Sequence, residues 1–380
     1  MPSSKSGGSD LEIQVSKQSF FKELQLLQGI IERKNTMPIL ANLLLTASKG
    51  SVELTASDLE VALRIQAEAD VKQSGSATLP AKKIFEIVRE LPDLSTVSLK
   101  KLDNNFVEIR CGSSYFKLPG MPVEEYPSLP EVGGEKTVTL PAAVLKEMIR
   151  RVIFSIAQED IRYAMNGALF LVEGNRLLLV GTDGHRLAYV STELEGKKVP
   201  EKIEVIISKK ALGELMKLLP EAKEEVQFGR FENFLFFRVD SRLLLSRNIE
   251  AQFPNYDKFI SLKNDKMAAF NSVSLMKTIK RVAVVSNERS RAVEFSLSGG
   301  MAKLSSANPE MAEGSDSVEI QYDGGPLKIG FNSQYLIDFL GAISAEEVTF
   351  ELQTESTAAL IRPKGTDQYD YRYVLMPMRL

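Results

Sequence analysis

Leu79-Pro80-Ala81-Lys82-Lys83-Ile84-Phe85-Glu86-Ile87-Val88-Arg89-Glu90-Leu91-Pro92 lines up with Ile207-Ser208-Lys209-Lys210-Ala211-Leu212-Gly213-Glu214-Leu215-Met216-Lys217-Leu218-Leu219-Pro220. Apolar residues fall on one helical face in both stretches, lysine and arginine on the other, and both end at proline. A fainter third copy runs from Gly330-Phe331-Asn332-Ser333-Gln334-Tyr335 to Leu340. A second element recurs out of phase with the first, at Val15-Ser16, Leu140-Pro141 and Phe270-Asn271. Both series have a period of roughly 125 residues, the size of a domain and not of a solenoid unit. A chain that writes one domain three times points to a scaffold, not to a single catalytic pocket.

Working outward, each repeat reads as helix, strands, second helix, more strands. Phe20, Phe21, Leu24, Leu27, Ile30 and Ile31 recur at helical spacing. Strands are expected around 43–45, 52–54, 61–65, 97–99, 106–109 and 115–118, then around 168–172, 176–180 and 234–239, and around 292–297 and 348–352. The helix near Ala81 is expected to hold Pro80 in its first turn and to stop at Pro92. Linkers are expected at 127–134 and 255–263. Two helices beside many antiparallel strands, repeated, give an α+β class. Such units could join edge to edge into a curved sheet with helices on one side. The expected division is a flexible tail over 1–10 and domains over 11–130, 131–257 and 258–380.

Composition narrows the function. The chain has 380 residues, 44% hydrophobic and 26% charged, so each repeat can bury its own core. A single cysteine, Cys111, excludes an internal disulfide and a cysteine-ligated zinc site, and fits a cytoplasmic location. No apolar run approaches a membrane span, and the N-terminus lacks a signal-peptide core. No cofactor or metal is expected. P-loop and Gly-x-Ser-x-Gly signatures are missing, and the one histidine, His185, excludes sites needing two. Asp183 and His185 could form an acid/base pair, yet no nucleophile accompanies them. A structural turn or a binding surface are the other readings of that motif.

Net charge is −3. Taking 16–31, 80–91, 141–152, 208–219, 271–283 and 332–343 as helices, their net charges are +1, +1, +2, +2, +3 and −1. The helices therefore carry +8 and the remainder −11. Lys82 and Arg89 share a helix face, Lys210 and Lys217 take the same places in repeat two, and Arg150-Arg151 align with Lys280-Arg281. Amphipathic helices show basic residues to water on ordinary grounds. Recurrence across repeats favours a continuous surface for phosphate backbone without base reading. The C-terminus stays apolar to its last residues, Tyr373-Val374-Leu375-Met376-Pro377-Met378-Arg379-Leu380, which suggests a closing strand or an adaptable methionine-lined groove.

Several ordered motifs resemble the bacterial DNA polymerase III beta subunit family of sliding clamps. They are Thr36-Met37-Pro38-Ile39-Leu40-Ala41-Asn42-Leu43, Arg162-Tyr163-Ala164-Met165-Asn166-Gly167, Thr182-Asp183-Gly184-His185-Arg186-Leu187-Ala188, Phe253-Pro254-Asn255-Tyr256, Ser286-Asn287-Glu288, Asn308-Pro309-Glu310 and Met376-Pro377-Met378-Arg379-Leu380. The resemblance spans about residues 11 to 380. It implies three tandem clamp domains per chain, helices lining the inner face and antiparallel sheets the outer face of a head-to-tail dimeric ring around duplex DNA. It implies no enzymatic activity. The expected partners are duplex DNA without sequence preference, a second copy of the chain, the replicative polymerase's catalytic subunit, the clamp loader, and other clamp-binding polymerases and repair proteins.

By the same resemblance, a partner-peptide cleft would use Met165, Thr182, Gly184, His185, Arg186, Leu187, Pro254, Val374, Met376, Pro377, Met378, Arg379 and Leu380. It would take a short peptide with a glutamine and a Leu-Phe-like end. Phe259 stands where the family commonly has a smaller aliphatic residue, and Met165 where it has leucine. The DNA-facing residues would be Lys34, Lys82, Arg89, Arg150, Lys210, Lys217 and Lys280. The subunit interface would use Lys83, Phe116 and Leu118 on one side and Val284 and Val285 on the other, with Lys83 near Glu310 or Glu313. A three-domain scaffold that does not encircle DNA is the alternative.

Overall fold

A computed structural model describes residues 11–31, 37–133, 137–195, 199–308, 312–365 and 368–379. The expected tail over 1–10, Lys34, Glu310 and Leu380 lie outside them. Among the described residues there are seven helices: α1 (Lys17–Leu27), α2 (Ala81–Glu90), α3 (Ala142–Val152), α4 (Lys209–Leu218), α5 (Asp257–Ile260), α6 (Ser272–Ala283) and α7 (Ser333–Gly341). Six match the expected helices. The seventh, α5, is a single turn inside the expected linker 255–263.

Each of the six longer helices continues directly from a strand with no loop between. Their starts lie 61 to 67 residues apart, so the two out-of-phase series are one strand-to-helix unit used six times. The junction residue does the capping where its side chain permits. Asn271 accepts from the Ser274 N–H at 2.9 Å, and Asn332 from those of Gln334 and Tyr335 at 2.9 and 3.4 Å. Pro80 differs from expectation. It ends the strand Gly75–Pro80 and stands just before α2, because it still pairs with Asn42 across the sheet.

All strand pairs are antiparallel, as an α+β repeat of hairpins requires, and form four sheets. Chain contacts divide the protein into two units that share the second repeat: Met1–Ala143 with Lys210–Asn248, and Val144–Lys209 with Ile249–Leu380. The division follows the sheets. In the first unit, Thr137–Pro141, Glu225–Phe231, Phe234–Val239 and Arg242–Arg247 from repeat two run on into Val61–Glu68, Ser51–Ser57, Asn42–Ser48 and Gly75–Pro80 from repeat one. The joining pair aligns Leu244 with Leu63. In the second unit, Val199–Ser208, Gly167–Gly174, Arg176–Thr182 and Arg186–Glu193 run on into Asp370–Leu375, Ala359–Lys364, Glu347–Leu352, Lys266–Asn271 and Gln321–Tyr322. Here Ala188 faces Tyr373. Neighbouring repeats thus join edge to edge.

Helices close over these sheets by burying their apolar stripe. In α2, Ala81, Ile84 and Val88 are buried, and Phe85 stacks on Phe21 of α1 with ring centres 5.3 Å apart. Burying each such side chain contributes roughly 1.5–3 kcal/mol. Repeat three is centred on Phe270, Phe295, Phe331 and Phe350, all buried. The linker from Pro127 is not free. Leu129 and Val132 pack against Ala62, Phe236, Leu243 and Leu245, and the Arg64 guanidinium donates to the Leu129 carbonyl at 3.1 Å.

A five-stranded sheet in the first unit ends at Ser114–Pro119, and a four-stranded sheet in the second ends at Ala312–Glu319. Among the described residues, both strands pair on one side only.

Candidate protein-binding cleft and nucleic-acid face

The cleft begins with a tight turn. Strands Arg176–Thr182 and Arg186–Glu193 are joined by Asp183-Gly184-His185. The Asp183 carboxylate accepts from the backbone N–H groups of His185 and Arg186 at 2.9 and 3.0 Å, and the Thr182 hydroxyl accepts from that of Gly184 at 3.1 Å. Gly184 takes φ +87°, which suits glycine. Asp183 is therefore a turn former, its second oxygen held by Arg186 Nε at 3.0 Å. That accounts for the Asp-x-His spacing without an acid/base role.

Around the turn lies a cavity of about 240 Å³ lined by Arg162, Met165, Thr182, Gly184, His185, Arg186, Leu187, Pro254, Asn255, Phe259, Val374 and Met376. The final strand Asp370–Leu375 pairs with Arg186–Glu193, and the Met376 N–H donates to the His185 carbonyl at 3.0 Å, which sets Met376 beside the turn. Below the cavity, Leu187 and Val374 join a core with Leu169, Leu178, Leu360 and Ile260. Ile260 anchors α5, and Arg372 Nη1 donates to its carbonyl at 3.1 Å. Phe259, one residue earlier, is left 43% exposed at the cavity wall. Met376 is 41% exposed. The walls are thus thioether and hydrocarbon with a few polar groups, the usual make-up of a peptide-anchor pocket.

The structure gathers nine of the thirteen expected cleft residues into this lining. Pro377, Met378 and Arg379 are not among them. The Met378 N–H donates to the Gly330 carbonyl at 2.8 Å, and Met378 and Arg379 border a separate, polar cavity of about 700 Å³ with Glu294, Lys303 and Glu313. Arg162 and Asn255 were missed as lining residues, although both stand inside motifs already singled out. Arg162 forms the rim, and its guanidinium holds the Asp160 carboxyl down at about 2.

The basic helix positions separate into two kinds. Lys82 and Arg89 are exposed on α2, opposite buried Ile84 and Val88, with Glu86 3.8 Å from Lys82 and Glu90 2.8 Å from Arg89. Lys217 is half exposed beside Glu214 at 2.7 Å, Arg150 is partly exposed beside Glu147 at 2.7 Å, and Lys280 is exposed. Lys210 departs from its α2 counterpart. Its ammonium is held by Asp58, which is nearly fully buried, and by the Ile30 carbonyl. Two acceptors, one of them the buried Asp58 carboxylate, make it a tie within the first unit.

Phe116 and Leu118 are half buried on the edge strand Ser114–Pro119. Val284 follows α6 and is 81% exposed, while Val285 packs toward Gly314 of the edge strand Ala312–Glu319. Lys83 is exposed with Glu86 at 3.0 Å.

Against known proteins, the chain matches the N-terminal domain of the DNA polymerase III beta subunit over residues 11–130, the central domain over 139–255 and the C-terminal domain over 258–379. The chain belongs to the DNA polymerase III beta subunit family. It is 34% identical to the beta sliding clamp of Pseudomonas aeruginosa over 370 residues, covering 96% of this chain and 99% of that protein. It is 33% identical to the beta sliding clamp of Escherichia coli K12 over 371 residues, covering 97% and 100%. Among solved structures, the sliding clamp from Bartonella birtlesii bound to griselimycin superposes with a TM-score of 0.91 at 36% identity, covering 98% of this chain and all of that one. The P. aeruginosa clamp bound to griselimycin gives 0.90 at 33%, covering 97% and 100%. The fold is therefore three tandem clamp domains, and the function is that of a DNA sliding clamp, a non-catalytic processivity factor of DNA polymerase III. Among the described residues, no helix is long and apolar enough to cross a membrane.

Proposed function

We propose that two copies of the chain close head to tail into a ring around duplex DNA, and that the cleft beside Thr182–Arg186 tethers the polymerase's catalytic subunit. The clamp loader, other polymerases and repair proteins would use the same cleft in turn, in the cytoplasm. The observation that carries the ring is a pair of sheet edges, Ser114–Pro119 and Ala312–Glu319, whose side chains are unlike and suited to each other. An exposed edge strand invites another chain, and one-sided edges are normally blunted or covered. These two are complementary. Ser114–Pro119 carries Lys117 and the apolar Phe116 and Leu118, with Lys83 on α2 of the same repeat. Ala312–Glu319 carries Glu313, Asp316 and Glu319, with Val284 and Val285 beside it. Strand-to-strand pairing of unlike edges is heterologous, and closes only when its rotation closes.

The domain boundaries proposed are 11–130, 131–257 and 258–380. For DNA, the exposed Lys82, Arg89, Lys217 and Lys280, with the partly exposed Arg150, support diffuse phosphate attraction, and affinity of the unloaded protein should be weak and steeply salt-dependent. Lys210 belongs to that set by sequence position only, and Lys34 completes it. Pro377, Met378, Arg379 and Leu380 remain proposed cleft residues as the segment that carries Met376.

Val284→Ala with Val285→Ala strips apolar area from the interface and should shift the protein toward monomer in sedimentation at nanomolar concentration. Dimer persisting unchanged there would place the interface elsewhere.

A further inference from the structure

Arg186 lines the cleft, yet all three nitrogens of its guanidinium are engaged within the protein. Nε donates to Asp183 at 3.0 Å, Nη1 to the Asp338 carboxylate at 2.7 Å, and Nη2 to the Phe154 carbonyl at 2.5 Å. Its plane lies between two rings, 4.1 Å from the centre of Tyr335 and 5.3 Å from that of Phe154. The side chain is 10% exposed. Burial alone would depress this cation, but Tyr373, Asp338 and Asp183 around it outweigh burial and hold it charged.

Asp338 is on α7 and does not line the cleft. One of its oxygens takes Arg186, the other takes the Gln334 amide at 2.7 Å. The helix is fixed in its turn, for Phe339 stacks on Tyr373 at 4.7 Å and the Tyr373 hydroxyl donates to the Tyr335 carbonyl at 3.0 Å. We propose that Asp338, with Tyr335, is the positioning partner of the peptide cleft: through Arg186 it holds the Thr182–Arg186 turn in its binding shape, and so sets affinity for a peptide it never touches. This rests on the cleft reading above.

The test uses the full-length dimer and a fluorescent pentapeptide with an N-terminal glutamine and a C-terminal Leu-Phe, followed by anisotropy. Asp338→Asn keeps the shape and removes the charge, and should weaken binding about tenfold, as loss of a charge-assisted hydrogen bond does. In an Arg186→Leu background the same change should alter affinity less than twofold, because the link is already cut. A generally loosened fold would lose affinity in both backgrounds. Tyr335→Leu, which removes only the stacking face, should weaken binding about threefold and shift the Gly184 and His185 amide resonances. Wild-type binding with Asp338→Asn within twofold of it, or equal losses in both backgrounds, would overturn the role of Asp338. A wild-type chain that ignores the peptide would overturn the cleft and this role together.

Discussion

The two inter-repeat junctions are built from the same turn and finished differently. Ser57-Asp58-Leu59-Glu60-Val61 in the first unit shares its backbone-capping bonds with Thr182-Asp183-Gly184-His185-Arg186 in the second. Asp58 accepts from the N–H groups of Glu60 and Val61 at 2.9 and 2.6 Å, and Ser57 from that of Leu59 at 3.1 Å. Leu59 takes φ +77° where Gly184 takes +87°. The Arg247 N–H donates to the Glu60 carbonyl at 2.8 Å, as that of Met376 does to His185. In the first unit, Lys210 then reaches Asp58, and the Arg247 side chain bonds the Leu59 carbonyl at 2.9 Å. Nearby, Arg242 and Glu23 form a two-bond buried pair at 2.9 and 2.6 Å. In the second unit the lysine's place is taken by Gln334, arginine replaces Val61, and methionine replaces Arg247. The cavity lies beside this second turn. One turn, with two sets of neighbours, gives a tie in one place and a cleft in the other.

The contrast can be tested from each side. The largest effect is expected from deleting Met376 to Leu380, which should abolish binding of the peptide in anisotropy while sedimentation still shows a dimer. Retained affinity would mean that the last strand's extension does not build the cleft. On the tie side, Glu23→Ala leaves Arg242 buried without its partner and should cost about 3 kcal/mol in denaturant unfolding. A cost under about 1 kcal/mol would make the pair no more than a surface bridge. The smallest effect comes from making the second turn like the first. In Gly184→Leu the nearest atoms to the new Cβ belong to the exposed Arg162 guanidinium, at 3.1 Å, which can shift, so the fold should survive a strain of about 1–2 kcal/mol. Peptide affinity should fall about tenfold as the leucine enters the cavity. Unaltered affinity would show that the space beside Gly184 is not where the peptide lies.

Much of this was legible in sequence. The helix at Ala81–Glu90 announced itself because its apolar and basic residues alternate at a strong helical period, and its copy at Lys209–Leu218 confirmed the repeat. The cleft was legible as motifs, since Thr182 to Leu187 and Val374 to Met376 are adjacent strands read from distant segments. The roles of single charges were not. Lys82 and Lys210 occupy the same repeat position, and only the tertiary neighbours tell that one meets water and the other Asp58. Asp338 was invisible for the same reason: its partner is 152 residues away. Met378 and Arg379 read as part of the cleft because they follow Met376; the backbone bond from Met378 to Gly330, which sets both beside a second cavity, left no mark in the sequence.

The central claim is that two unlike sheet edges close two chains into a ring. Negative-stain microscopy of the purified protein at micromolar concentration addresses it directly. Closed rings with a hole of roughly 20 Å or more, wide enough for a duplex given its groove dimensions, are the expected result. Compact particles without a hole, at a concentration where sedimentation shows dimer, would contradict the ring and leave the clamp domains assembled in some other way.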